Sequence, residues 1–283
     1  MKLTLKSPEI ALLAVCGVLL LIALLGPSVS QPASYHQFAD QHPWFGIPFA
    51  MDVLTNLPFA LWGVMGLLRL HQLPPERLEA SQRATATLFF TGLVLTAICS
   101  GWYHWAPRDA GLAVDRLGMV VAFAGLIGLA AAGRISARIG LTVTFAVLLL
   151  GPLSVASWAM TGNVLPWVVL QFGGMTLVLW MARIPRLVGA LPIRWGVVIG
   201  IYALAKLLEQ GDHQVYALLG NTISGHSLKH VVASLAAWPV LSALSDCTEP
   251  ANVRTRQKTG SDDEALTPPC RATAPLVNDV AAS

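Results

Sequence analysis

The chain has 283 residues, 55% of them hydrophobic and only 12% charged, and its mean hydropathy is +0.63. A soluble domain carries about twice that share of charge, so the composition excludes a water-soluble globular protein and indicates a polytopic membrane protein. The formal net charge of +3 is too small and too dispersed for a nucleic-acid partner.

Apolar segments long enough to cross a bilayer lie at 8–28, 52–70, 85–105, 113–133, 139–159, 164–183, 195–210 and 222–244, which predicts eight helices. Lys2 and Lys6 precede the first apolar run as they would in a signal peptide. That run is longer than a signal core, however, and Pro27-Ser-Val-Ser30 is a weak cleavage site, so it is expected to stay as helix 1. The seventh segment is the weakest span, interrupted by Lys206 and Glu209. The expected organisation is an N-terminal membrane helix (1–30), a loop or lid (31–51), a seven-helix core (52–245), and a disordered tail (246–283) with no apolar period. The four cysteines show no C-x-x-C spacing; Cys16 and Cys99 sit inside apolar runs, as small buried residues do. No internal repeat, G-x-S-x-G, Walker or dinucleotide motif is present.

Basic residues alternate between connections. Lys2 and Lys6 precede helix 1, Arg69, Arg77 and Arg83 follow helix 2, Arg134 and Arg138 follow helix 4, and Arg183, Arg186 and Arg194 follow helix 6. Arg254, Arg256, Lys258 and Arg271 follow helix 8, while the other connections hold only Arg108 as a clear case. By the positive-inside rule both termini are cytoplasmic. Helix 3 then runs outward, helices 4 and 8 run inward, and residues 29–51 form an external segment able to cover whatever lies beneath it.

The chemistry-bearing residues follow that frame. Ser100 and His104 are four apart on helix 3, Asp115 opens helix 4, and His226-Ser-Leu-Lys-His230 repeats the spacing of four on helix 8. Residues four apart share a helix face. An H-x-x-x-H pair arises by chance in roughly one such chain in six, so the pair alone decides little. The co-location is stronger: all these groups fall at one depth, near the outer face, on three membrane helices. A carboxylate at mid-membrane costs about 2.5–3.5 kcal/mol, and such a set persists only when its members satisfy one another or bind something. Three neutral imidazoles with a fourth position for water is the open arrangement of catalytic zinc. The bland reading is a hydrogen-bonded cluster that joins helices 3, 4 and 8.

Ser100-x-x-x-His104, Asp115 and His226-x-x-x-His230 together resemble the alkaline ceramidase family, within a superfamily of seven-helix membrane hydrolases that includes the adiponectin and progestin receptors. Asp52-Val-Leu-Thr55-Asn56-Leu-Pro58-Phe is similar to the start of that family's first core helix, where an Asn preceded by Ser or Thr recurs. The resemblance covers about residues 35–245, with helix 1 added as in bacterial-type members. It implies zinc on His104, His226 and His230, Asp115 handling the proton of the zinc-bound water, and Ser100 hydrogen-bonding nearby. It implies an intramembrane amidase acting on the N-acyl bond of ceramide or a related N-acyl lipid, with no protein partner. The Ala-, Leu- and Arg-rich composition suggests a bacterial source and a plasma-membrane location, where ceramide itself is often absent. The alternative is a receptor-like sensor whose zinc is structural or residual. A transporter is disfavoured, because paired repeats and broken helices with mid-membrane charges are not seen.

The eukaryotic ceramidases also hold calcium on acidic, Trp and Asn residues before the first core helix. Tyr35-His-Gln-Phe-Ala-Asp40-Gln, with Asp52 further on, does not reproduce that pattern, and Asp40 reads as a loop-surface aspartate. Glu209, Asp212 and His213 read as a solvated helix end, Arg116 as pointing away from Asp115, and Lys229 as snorkelling or pairing rather than ligating. Trp102, Tyr103 and Trp105 read as an interfacial aromatic belt.

The topology is open to direct test. A reporter fused after Ser245 should register as cytoplasmic and one inserted in residues 29–51 as external. Both on one side, or the reverse, would refute the eight-span orientation.

Overall fold

The computed structural model describes residues 5–247, which form helices with no β-sheet. The predicted tail from 248 onward and Lys2 lie outside the described residues. Each predicted apolar segment falls on a helix: α1 (Ser7–Leu25), α2 (Ala50–Leu54) with α3 (Leu57–Gln72), α4 (Ala80–Trp105), α5 (Asp109–Arg134) and α6 (Ala137–Thr161). After these come α7 (Leu165–Val168) and α8 (Gly174–Ala182), then α9 (Trp195–Gln210), a short α10 (Asp212–Leu218), and α11 (Gly225–Ser234) with α12 (Trp238–Asp246).

Three of the spans are compound, and prolines account for two of the breaks. Pro58 near the start of α3 and Pro239 near the start of α12 lack the N–H that would carry the preceding turn forward. Thus α2 bends into α3 at Thr55–Asn56, and α11 passes through a 3₁₀ turn, Leu235–Ala237, into α12. The sixth span keeps its course but widens to a π turn at Val169–Gly173 between α7 and α8. Among the described residues, seven helices are long and apolar enough to cross a membrane. The eighth, α9, has 16 residues, a rise of about 24 Å, and is the weak span the sequence predicts. The chain is an all-α polytopic membrane protein: a seven-helix core with α1 added.

The outward faces of α1, α3 and α6 are apolar and exposed, with Leu24, Leu68 and Phe145 among them. In a membrane these faces meet lipid, where helices alone can satisfy their own backbone. Inside, α3, α4, α5, α8, α9 and α11 form a closed ring in which each helix touches the next and α11 returns to α3. The helix α6 packs outside α5, and α1 lies against α7 and the π turn. Glu9 fixes α1 further by accepting from Ser136 Oγ at 2.7 Å, at the N-cap of α6. At the same end Arg83 caps α3, donating to the Leu70, Leu73 and Pro74 carbonyls at 2.7–2.9 Å.

The tightest seam joins α4 to α5. A β-carbon built on Gly92 would lie 2.2 Å from Ala122 N, and one on Gly125 would lie 2.2 Å from Phe89 N. Small residues let membrane helices approach backbone to backbone, where dispersion replaces the absent hydrophobic drive. Gly125→Ala should therefore lower stability by about 1–3 kcal/mol, the usual cost of overpacking a tight seam. Gly200→Ala on α9, where a β-carbon meets nothing within 4 Å, should not. Thermal unfolding midpoints in detergent check the pair.

Candidate metal centre

The polar residues of the bundle gather at the end where α4 stops and α5 and α11 begin. His104 occupies the last turn of α4, Asp115 the second turn of α5, and His226 and His230 the first two turns of α11. All are buried, at 0%, 8%, 7% and 3% exposure, and Ser100 is buried too.

The three imidazoles form a near-equilateral set, every pair of ring centroids standing 4.9 Å apart. One nitrogen from each lies within 4.8 Å of the others, so the group can hold a metal ion. Nε2 of His104 and Nε2 of His226 are 3.3 Å apart. A tetrahedral ion with nitrogens at 2.0–2.1 Å separates its ligand atoms by about 3.3–3.4 Å, and the observed spacing matches that edge.

Hydrogen bonding also orients the third imidazole. Thr55 donates its only hydroxyl proton to the Met51 carbonyl at 2.6 Å, and His230 Nδ1 lies 3.1 Å from Thr55 Oγ1. The threonine must therefore accept, which puts the ring proton on Nδ1 and leaves Nε2 as a lone pair. That Nε2 is buried with no hydrogen-bond partner, the condition of a ligand atom turned toward its ion. A Thr–His pair of this kind is the outer-shell contact that fixes the tautomer of ligating histidines.

Two acidic residues set α11 in place. Asp212 Oδ1 accepts from the His226 backbone N–H at 2.7 Å, while its Oδ2 accepts from Ala39 N–H at 2.9 Å. Asp52 accepts from Ser227 Oγ at 2.6 Å, tying α2 to α11. The reading of Asp212 as a solvated helix end is thus corrected: a carboxylate that caps one helix and pins a loop is drawn inside.

The loop 26–49 lies across this end. Phe38 is 3% exposed and its ring centroid is 4.8 Å from that of His104 and 4.4 Å from that of His226. His36 bridges Tyr103 Oη at 2.8 Å and Asp109 at 3.0 Å, and His213 holds the Gln37 carbonyl at 3.1 Å. Tyr103 is therefore an anchor for this cover, not part of the exposed aromatic belt that Trp102 and Trp105 form. Asp40 is buried as well, accepting from the His42 backbone N–H at 3.0 Å, so the surface reading fails there too. Burial and the nearby carboxylates of Glu209 and Asp115 push the Tyr35 hydroxyl well above the ordinary phenol range, which keeps it a neutral group.

A cavity adjoins His226 and His230, and Ser100 and Asp115 line it together. Ser100 on α4 and Asp115 on α5 thus share one chamber across the tight seam between their helices. Arg116 lines the same cavity, its guanidinium lying among Tyr35, Trp158 and Trp167. Lys206, Glu209 and Lys229 complete the charged lining. Glu209 pairs with Lys206, and with Lys229 at 3.3 Å, so it is a half-buried counter-ion and not a solvated helix end. Lys229 does pair, as expected, and its Nζ also stands 2.9 Å from His226 Nε2.

The sequence reading missed Thr55 as an orienting group, Phe38 as a cover, and the Glu209 link between α9 and α11. Thr55 precedes Asn56 in a recognised motif, which marks the position without its role; nothing in the local pattern marks the other two. Comparison of the sequence with models of known protein families and with curated protein sequences finds no match in either case.

Replacing His104, His226 or His230 by Ala should remove most bound metal from the purified protein. Thr55→Val, which keeps the shape but not the acceptor, should weaken metal affinity by about 10–100-fold, read by chelator competition. Stoichiometric metal in a variant lacking all three histidines would refute the site.

Proposed function

We propose that this chain is a zinc-dependent intramembrane amidase of the alkaline ceramidase type, releasing a fatty acid from ceramide or another N-acyl lipid. The observation that carries the reading is the buried set of three imidazoles beside Asp115 and Ser100 in one cavity. Three nitrogen ligands suit zinc, and a bound zinc would supply Lewis acidity toward an amide carbonyl and a water acidic enough to ionise near neutral pH.

The chain's own residues supply the rest. Asp115 takes the proton of the attacking water and delivers it to the departing amine, which an amide needs before it can leave. Ser100 orients the Asp115 carboxylate and offers a hydrogen bond to the developing oxyanion. Phe38 and Tyr35 exclude bulk water above the histidines, which strengthens every charge interaction beneath them. The acyl chain enters from the lipid. The positive-inside pattern puts both termini in the cytoplasm and this end of the bundle at the outer face of a bacterial plasma membrane.

Asp115→Asn keeps the side-chain shape but cannot accept the proton. It should leave metal content near normal and lower fatty-acid release by about 10²–10⁴-fold, the worth of a positioned proton carrier. Ser100→Ala should cost less, about 10²-fold or below. The assay is fatty-acid release from a panel of N-acyl lipids, run beside metal analysis. A wild-type protein that holds zinc and releases nothing from any of them would favour a receptor-like sensor instead.

A further inference from the structure

The cavity beside the histidines contains a cation that the proposed reaction does not use. Arg116 is 2% exposed and lines the chamber. Its Nη2 donates to Gln31 Oε1 at 2.6 Å, but its Nε and Nη1 have no hydrogen-bond partner. Those two nitrogens carry three of the five guanidinium N–H bonds. Leaving buried donors unmet costs about 1–3 kcal/mol, and more when the group is charged.

The guanidinium is nonetheless held firmly. Its central carbon stands 4.1 Å from the centroid of the Trp158 ring, 5.5 Å from that of Trp167 and 5.8 Å from that of Tyr35. Aromatic faces attract a cation and fix its plane, yet they accept no strong hydrogen bond in place of an oxyanion. None of the described ion pairs includes Arg116. The Glu209 carboxylate is already shared by Lys206 and Lys229. Three cations thus face two carboxylates in one lining, and the one that makes no ion pair is the planar, fork-shaped group that best matches a carboxylate or phosphate.

The size of the space narrows the occupant. The cavity is small, about 90 Å³, room for a compact polar head on the order of a few waters. Resting on the amidase reading, we propose that this chamber receives the acidic end of the substrate, an N-acylated lipid whose head carries a carboxylate or phosphate bound by Arg116. A neutral diol head would leave the guanidinium without its counter-charge.

The test uses three lipids with one acyl chain: N-oleoylglycine, N-oleoylphosphoethanolamine and the neutral N-oleoylethanolamine. Binding to the purified full-length chain in uncharged detergent is followed by tryptophan fluorescence, which Trp158 and Trp167 beside Arg116 are placed to report. At least one acidic lipid should bind about tenfold or more tighter than the neutral one, a charge-assisted hydrogen bond's worth, and the tighter of the two identifies the oxyanion. Arg116→Gln should abolish that preference while leaving the neutral lipid within about twofold, and Arg116→Lys should retain part of it. Equal binding of all three lipids by the wild type overturns the proposal, and this comparison needs no variant to fold. A preference that survives Arg116→Gln overturns it as well. Fatty-acid release is scored separately. Tight binding of an acidic lipid without release refutes the amidase reading and leaves the anion site standing; release with no acidic preference does the reverse.

Discussion

A neutral imidazole always carries one nitrogen lone pair, and in an apolar interior that lone pair must meet a proton or a cation. Here three such rings stand 4.9 Å apart, centroid to centroid, inside a bundle whose outer faces are hydrocarbon. Much of the site end serves to keep those lone pairs convergent. Thr55 sets the tautomer of His230, Asp212 holds the backbone of His226, and Asp52 ties the helix that carries both to α2. All three are buried polar groups, Thr55 and Asp52 at α2 and Asp212 on α10, and each finds its partner on α11 only when the helices close.

The closure itself comes from the apolar half. Gly92 and Gly125 bring α4 and α5 to backbone contact, which places Ser100 and His104 on one helix across from Asp115 on the next. A seam built from glycine and alanine carries no directional chemistry, so it sets distance alone. The polar network then sets orientation. Separating the two tasks suits a membrane protein, in which hydrogen bonds between helices contribute only about 1 kcal/mol each and packing carries most of the association.

The same end of the molecule also concentrates charge. The Glu209 carboxylate bridges two lysines between α9 and α11, and Arg116 is boxed by aromatic rings beneath the loop that carries Phe38. Buried ions of this number are expensive in lipid, and structural use accounts for only some of them. A cation held rigidly with its donors unmet is preorganised for an anion that arrives from outside the fold, because no reorganisation is left to be done on binding.

Helix existence and the candidate ligands were legible in the chain itself. Apolar length reports a bilayer crossing directly, and a spacing of four places Ser100 with His104, and His226 with His230, on common faces. The burial of Asp212 was not legible, since a charged residue near a helix end looks the same whether water or a partner 173 residues away satisfies it, and the loop residue Asp40 carried no signal of burial either. Ala39 and Asp212 meet across 173 positions and Thr55 and His230 across 175; no local period encodes such pairs. Nor does helical spacing decide where a long side chain ends, and the aromatic rings around Arg116 come from the loop, α6 and α7. The sequence by itself determined an all-α membrane protein and which side chains could serve as ligands, because hydropathy and period are local properties. Which of those side chains converge, which carboxylates are drawn inside, and which cation is left facing an open chamber were decided only by the tertiary structure, because burial and pairing are set by the helices that close around them.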